Sequence, residues 1–127
     1  MEQILQPLEV VMKRHHSILF AYLFGSYAVG EQTAMSDIDI AVFVENEKGI
    51  SFNEKLLLHG DCCRVLKRND VDILVLNTTK NLFLLEDIIC DGKIIYNRDQ
   101  DLLDEFELKT LHAIYDFKEN PLLEIEA

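Results

Sequence analysis

Apolar residues Ile4, Leu5, Leu8, Val11 and Met12 fall at the three- and four-residue spacing of a helix, which predicts a first helix over roughly residues 2–15. From Ile18 to Phe24 the pattern changes to an unbroken apolar run ended by Gly25, the mark of a short buried strand. A helix is expected to begin around Tyr27–Gly30, behind the Gly25-Ser26 turn, and the polar stretch Glu31–Ser36 reads as loop. Asp37–Val44 is a second strand, apolar apart from two acids, and Glu45–Ile50 is a charged turn. Ser51, followed three residues later by Glu54 and then an apolar run, is a capping box. It opens a helix reaching about Lys67, with Gly60 as an unfavourable interior residue. Asn69-Asp70 is a turn, Val71–Leu76 a third strand, Leu82–Cys90 a short helix with Gly92 as its C-terminal cap, and Lys93–Tyr96 a fourth strand. The last helix runs from Asp101 to about Lys118 with Leu103, Phe106, Ala113, Ile114 and Phe117 on one face; Pro121 ends it, and the final residues are expected to fray.

Strands alternating with helices imply an α/β (α+β) fold, a mixed sheet of about four strands flanked by helices. With 127 residues and no linker, repeat or low-complexity tract, residues 1–127 are expected to form a single domain. A doubly wound dinucleotide-binding fold is disfavoured, because its glycine-rich fingerprint is absent.

Charge narrows the function classes. The chain carries 23 acidic and 12 basic residues, a net charge of −11. Non-specific nucleic-acid binding relies on Lys and Arg neutralising phosphates, so no direct nucleic-acid partner is expected. A nucleotide is still compatible with this balance, because a bound metal reverses the local sign. No apolar segment approaches the ~20 residues that span a bilayer, and the N-terminal residues lack a secretory pattern, so neither a membrane nor a leader is expected. Cys62, Cys63 and Cys90 show no CxxC spacing and are odd in number, which fits core filler in a reducing, cytoplasmic setting.

The chemistry lies in the acids. Asp37 and Asp39 stand two apart, so in a strand they project from one face, flanked by Ile38, Ile40, Ala41 and Val42. Two ionised carboxylates side by side need a cation or a neighbour to offset their repulsion. Asp72 interrupts the third strand in the same way and, if the two strands are neighbours, points into the same place. Three carboxylates on adjacent strands can hold two Mg²⁺ ions, roughly 3.5–4 Å apart in known two-metal sites. Acids without His or Cys ligands suit Mg²⁺ better than zinc. Gly25 lets backbone approach phosphate oxygens, and Ser26 adds a hydroxyl and an N–H at a helix start. This reading is a metal-assisted nucleotidyl transfer, in which the metals stabilise the leaving pyrophosphate and activate an acceptor hydroxyl, with Asp72 best placed for the second metal or as proton acceptor. Each piece also has a plain reading: Gly-Ser as a turn, Ser36-Asp37 as a cap, and Asp70 beside Asn69 as a turn acid.

Gly25-Ser26-Tyr27-Ala28-Val29-Gly30, then Ser36-Asp37-Ile38-Asp39-Ile40-Ala41-Val42, then Val71-Asp72-Ile73-Leu74-Val75-Leu76 resembles the minimal nucleotidyltransferase (MNT) family of the DNA polymerase β-like superfamily, over nearly the whole chain. The resemblance implies triphosphate contacts from Gly25 and Ser26, with Ser36 joining them as nucleotide-binding. It implies that Asp37, Asp39 and Asp72 are the catalytic and metal-binding carboxylates, with Mg²⁺ and ATP as metal and substrate. Many relatives are antitoxins encoded beside HEPN-family RNase toxins, which implies AMP transfer from ATP to a tyrosine of a cognate HEPN-type toxin. Two alternatives are carried: an antitoxin that neutralises by binding alone, and a nucleotidyltransferase acting on a small molecule. One departure stands out. Relatives often read Gly-Ser-x-Ala-Arg-Gly, and here the basic position is Val29, which removes a bidentate phosphate donor. Lys48, Lys55, Arg64, Lys67 and Lys80 are candidates to compensate.

His15 and His16 fit simple placement at a helix C-terminus, and His59 and His112 are isolated from any metal-ligand pattern. Tyr27 either stacks on a base or packs. Phe106 and Phe117 either form core or dock a partner, and a charge placed there distinguishes the two by unfolding the protein or merely breaking a complex.

Overall fold

In the computed structural model, which describes residues 2–119, the elements run α1 (Glu2–Arg14), β1 (Ile18–Phe24), α2 (Ser26–Val29), β2 (Ile38–Val44), α3 (Phe52–Leu66), β3 (Val71–Val75), a 3₁₀ turn (Leu76–Thr78), α4 (Leu82–Asp91), β4 (Lys93–Asn97) and α5 (Gln100–Glu119). The four strands form one mixed sheet in the order β3-β2-β1-β4, with β2 parallel to β3 and the other pairs antiparallel. The parallel pair requires a crossover, and α3 supplies it. The expected fold class holds.

Two apolar layers enclose the sheet. One face carries Ala21 and Leu23 of β1, Ile38, Ile40 and Val42 of β2, and Val71 and Ile73 of β3, packed on Leu8, Val11 and Met12 of α1 and Leu58 and Cys62 of α3. The opposite face carries Phe20 and Tyr22 of β1 and Ala41 of β2, packed on Leu85 and Ile88 of α4 and Leu103 of α5. β1 is central and buried along nearly its whole length, which explains its continuous apolar run.

Several boundaries carry physical detail. Ser51 caps α3 by accepting the Glu54 N–H at 3.1 Å, but the Glu54 carboxylate turns to the Ser17 hydroxyl at 3.5 Å, so this half of the capping box is diverted. Lys67 ends α3 in the left-handed region (φ 56°), a place more often given to glycine. Gly92 closes α4 with extended backbone (φ −69°); a side chain there would collide with the Ile88 carbonyl, so close approach rather than handedness demands glycine. β3 stops at Val75 because Leu76 enters the 3₁₀ turn. That turn aims Asn77 back at β2, where its side-chain amide accepts the Val44 N–H at 2.9 Å and donates to the Val44 carbonyl at 2.8 Å. A side chain thereby continues the ladder where backbone has turned away.

Phe106 belongs to the core. It lies 5.5 Å from Phe20 and 5.4 Å from Phe43 between ring centroids. Phe117 packs edge-on against Phe83 at 5.6 Å. The large apolar side chains that α5 leaves exposed are Leu108, Leu111 and Tyr115, a different stripe from the predicted one. The expectations for Pro121 and the residues after it lie outside the described residues.

Candidate active site

The carboxylates gather at one end of the sheet because of how the strands run. β1 ends at Phe24, which pairs with Asp39 near the start of β2, and Asp39 is in register with Asp72 near the start of parallel β3. In-register residues of neighbouring strands share a face, so Asp39 and Asp72 lie together, on the side of Ala41 and Leu74. Asp37 is in the segment entering β2, one residue before the strand, and is exposed. Burial, then the Asp72 charge, then the Asp37 charge push the Asp39 carboxyl above the ordinary carboxylate range. The structure thus brings the three predicted acids into one electrostatic neighbourhood, centred on Asp39.

Gly25 completes that neighbourhood. Its backbone (φ 75°, ψ −157°) lies in a region essentially reserved for glycine. A Cβ built at this position would run into Asp39 Oδ2. The Asp39 carboxylate therefore occupies space that only glycine leaves open, and the turn and Asp39 pack as one unit. Ser26 starts α2, a single helical turn closed by left-handed Gly30, whose N–H bonds back to the Ser26 carbonyl.

Ser36 is engaged locally. Its hydroxyl oxygen accepts the Thr33 N–H at 2.9 Å, and its own N–H reaches the Thr33 carbonyl at 3.1 Å, a closed turn just before Asp37. Tyr27 resolves toward packing: it is buried in the α1/α3 layer, and its hydroxyl accepts from Arg68 Nη1 at 2.5 Å. Asp70 is the turn acid expected, gripped by Arg68, which holds its carboxyl below the usual range.

Among the candidate cations, Lys55 shares an apolar cleft of about 300 Å³ with Asp72, Phe52 and Leu56. Lys48 and Lys55 also line a neighbouring cleft near Thr78 and Thr79. Arg64 is committed to Asp61, and Lys67 caps α3. His15 bonds Asp61 at 2.8 Å, tying α1 to α3, and the His16 carbonyl accepts from Arg98 at 2.5 Å; both are structural. Arg68, whose role sequence reading missed, touches three segments that frame the site. Only closure of the fold reveals it, since its partners Tyr27 and Ser36 are 41 and 32 residues away.

Among the described residues, no three His, Cys, Asp or Glu side chains stand close enough to form a metal cage from protein donors alone. A Mg²⁺ ion usually takes one or two carboxylates and completes its shell with substrate phosphates and water. The donors here are hard carboxylate oxygens, and the Asp39 carboxyl, raised first by burial and then by the Asp72 and Asp37 charges, sits among like charges that a cation would offset.

Known proteins give the same architecture. MJ1379 of Methanocaldococcus jannaschii, named as a candidate protein adenylyltransferase, is 42% identical over 57 residues, 45% of this chain and 57% of that protein. The match thus spans little more than half the length of that relative. A chain from a crystal structure of a toxin–antitoxin with AMP-PNP superposes with a TM-score of 0.78 at 24% identity, covering 96% of this chain and 95% of that one. A chain from the complex of a tri-AMPylated Shewanella oneidensis HEPN toxin with MNT antitoxin superposes at 0.73, with 23% identity and 99% and 97% coverage. At these identities the superpositions establish the fold. The family model described as polymerase beta, nucleotidyltransferase, matches residues 6–101, from within α1 through the first residues of α5, so this chain belongs to that family.

Proposed function

We propose that this protein is a Mg²⁺-dependent nucleotidyltransferase that moves AMP from ATP to a tyrosine of a cognate HEPN-type toxin, and that this transfer makes it the antitoxin. The observation that carries the reading is the register of Asp39 and Asp72 beside a glycine turn into which the Asp39 carboxylate packs. The adenylyltransferase named among its relatives and the AMPylated toxin complex sharing its fold support the same chemistry.

The Gly25-Ser26 turn offers backbone N–H groups and a hydroxyl to triphosphate oxygens, with Ser36 shaping the opposite loop. Asp37, Asp39 and Asp72 would hold Mg²⁺, which supplies neutralisation of the phosphates and acidification of the acceptor hydroxyl. A phenol oxygen then bonds to the α-phosphorus, the bond from that phosphorus to the bridging oxygen breaks, and pyrophosphate leaves. Asp72 is exposed at the start of an edge strand and accepts the phenol proton. No described helix is long and apolar enough to cross a membrane; action in the cytoplasm is part of the proposal. Val29 is exposed on α2 and offers no cation, which favours weak nucleotide binding and keeps neutralisation by occlusion as a second reading.

A tagged pull-down from the native host, with wild type and Asp39→Asn, decides between them. A partner carrying AMP on tyrosine with the wild type and unmodified with Asp39→Asn establishes the transfer. A partner bound equally by both and never modified overturns catalysis and leaves binding alone.

A further inference from the structure

We infer that Arg68 is the positioning residue of the carboxylate site, a role that rests on the nucleotidyl-transfer reading above. Its guanidinium joins three segments. Nε donates to Asp70 Oδ1 at 2.7 Å and Nη2 to Asp70 Oδ2, a bidentate grip on the residue that precedes β3. Nη2 also donates to the Ser36 carbonyl at 3.0 Å, on the residue just before Asp37. Nη1 donates to the Tyr27 hydroxyl at 2.5 Å, inside the one-turn helix that follows Gly25. Phosphate turn, entry to β2 and entry to β3 thus meet on one planar group.

What the grip fixes is register. The Ile38 N–H donates to the Asp70 carbonyl at 2.9 Å, the first rung between the two acidic strands. Arg68 holds both strands at that rung: Ser36, two residues before Ile38, and Asp70 itself. If the rung slackens, Asp39 and Asp72 lose their alignment, because Asp39 lies one residue beyond Ile38 and Asp72 two residues beyond Asp70. The grip also keeps the Asp70 charge paired, so a fourth carboxylate does not compete with Asp37, Asp39 and Asp72 for cations. A rigid fork is needed: lysine concentrates its donors on one nitrogen and cannot span a carboxylate, a carbonyl and a phenol in three directions. Arg68 itself lies on the α1/α3 side, beside Tyr27 and Ile38, and works through these partners rather than on the substrate.

The test compares wild type, Arg68→Met, Arg68→Lys and Tyr27→Phe with Asn77→Ala, which weakens the same strand pair at its far end. Mn²⁺ binding is read by electron paramagnetic resonance. AMP transfer is read with poly(Ala,Glu,Lys,Tyr) as a generic tyrosine acceptor, with kcat and the KM for ATP measured separately. Arg68→Met is expected to weaken Mn²⁺ binding at least fivefold and lower kcat at least tenfold, with the KM for ATP within threefold. Arg68→Lys does not rescue, Tyr27→Phe shows a smaller loss in the same direction, and Asn77→Ala loses stability without these changes. Should Arg68→Met misfold, Tyr27→Phe, which removes one arm of the grip, carries the decision by the same readouts. Folded Arg68 variants that keep metal affinity and kcat, or lose activity only in step with their folded fraction as Asn77→Ala does, overturn the positioning role alone. A wild type that binds neither Mn²⁺ nor ATP and labels no tyrosine overturns the nucleotidyl-transfer reading and this inference with it.

Discussion

Gly25→Ala is the sharpest perturbation of the site, because a single methyl group acts twice. First, the residue must hold φ 75° and ψ −157°, a region that costs a residue with a side chain about 1–3 kcal/mol. For a domain of this size, that lowers Tm by roughly 4–12 °C. Second, the new Cβ meets Asp39 Oδ2 and must push it away to reach ordinary contact distance. A shift of about 1 Å in a reacting group can cost on the order of 100-fold in rate. Gly30→Ala is the matched control. Gly30 also has positive φ (74°), but nothing lies within 4 Å of its Cβ position. It should lose about 1 kcal/mol of stability and little activity. The assay is AMP transfer to the tyrosine copolymer or to the proposed toxin, at a temperature where circular dichroism shows each variant fully folded. Folded Gly25→Ala with transfer within threefold of wild type, or Gly30→Ala losing as much, refutes the idea that the Asp39 carboxylate depends on the missing side chain.

Asp39→Asn should abolish transfer yet raise the Tm of the metal-free protein at pH 7. The native carboxyl of Asp39 is raised, so its favourable contribution is present below the ordinary carboxylate range and lost as pH rises through the native value. The gain in Tm from the substitution should therefore disappear in acid, and a gain that persists at low pH contradicts the assignment. Asp61 works in the opposite sense: Arg64, then His15, lower its carboxyl, so Asp61→Asn should destabilise at neutral pH, with the loss fading as pH falls through the native value of Asp61. Thermal melts across pH separate the two. Asn77→Ala removes both bonds to Val44, a residue only 1% exposed, and should cost about 2 kcal/mol with no change in the KM for ATP. Urea denaturation measures the first quantity, and an unchanged midpoint rejects the account.

Legibility followed the range of the forces involved. The boundaries of β1 were readable because a strand covered on both faces must be apolar throughout, and Ile18–Phe24 is. The acids were readable because a charge in an apolar strand is conspicuous, and Asp39 and Asp72 proved to be register partners. What could not be read depends on contacts across the fold. Lys67-Arg68-Asn69-Asp70 is polar enough to pass as an ordinary turn, and nothing local says that Arg68 reaches back to Tyr27 and Ser36. Leu76 looks like one more strand residue, and only the demand of Val44 for partners explains why the chain turns there to present Asn77. Phe106 could have faced either way on an amphipathic helix. The neighbouring rings of Phe20 and Phe43 decide that it faces inward.

The crossover through α3 sets an order of events during synthesis. Asp37 and Asp39 leave the ribosome with β1 and β2, but Asp72 follows only after the fifteen residues of α3 and the turn that carries Arg68. The other neighbour of β1 is later still, since β4 begins at Lys93. At roughly 5–20 residues per second, the nascent chain spends seconds with two of its acids made and its third missing. On the proposed reading, a transfer-competent centre cannot precede β3, and acquisition of metal affinity by a growing chain would time the pairing of β3 with β2.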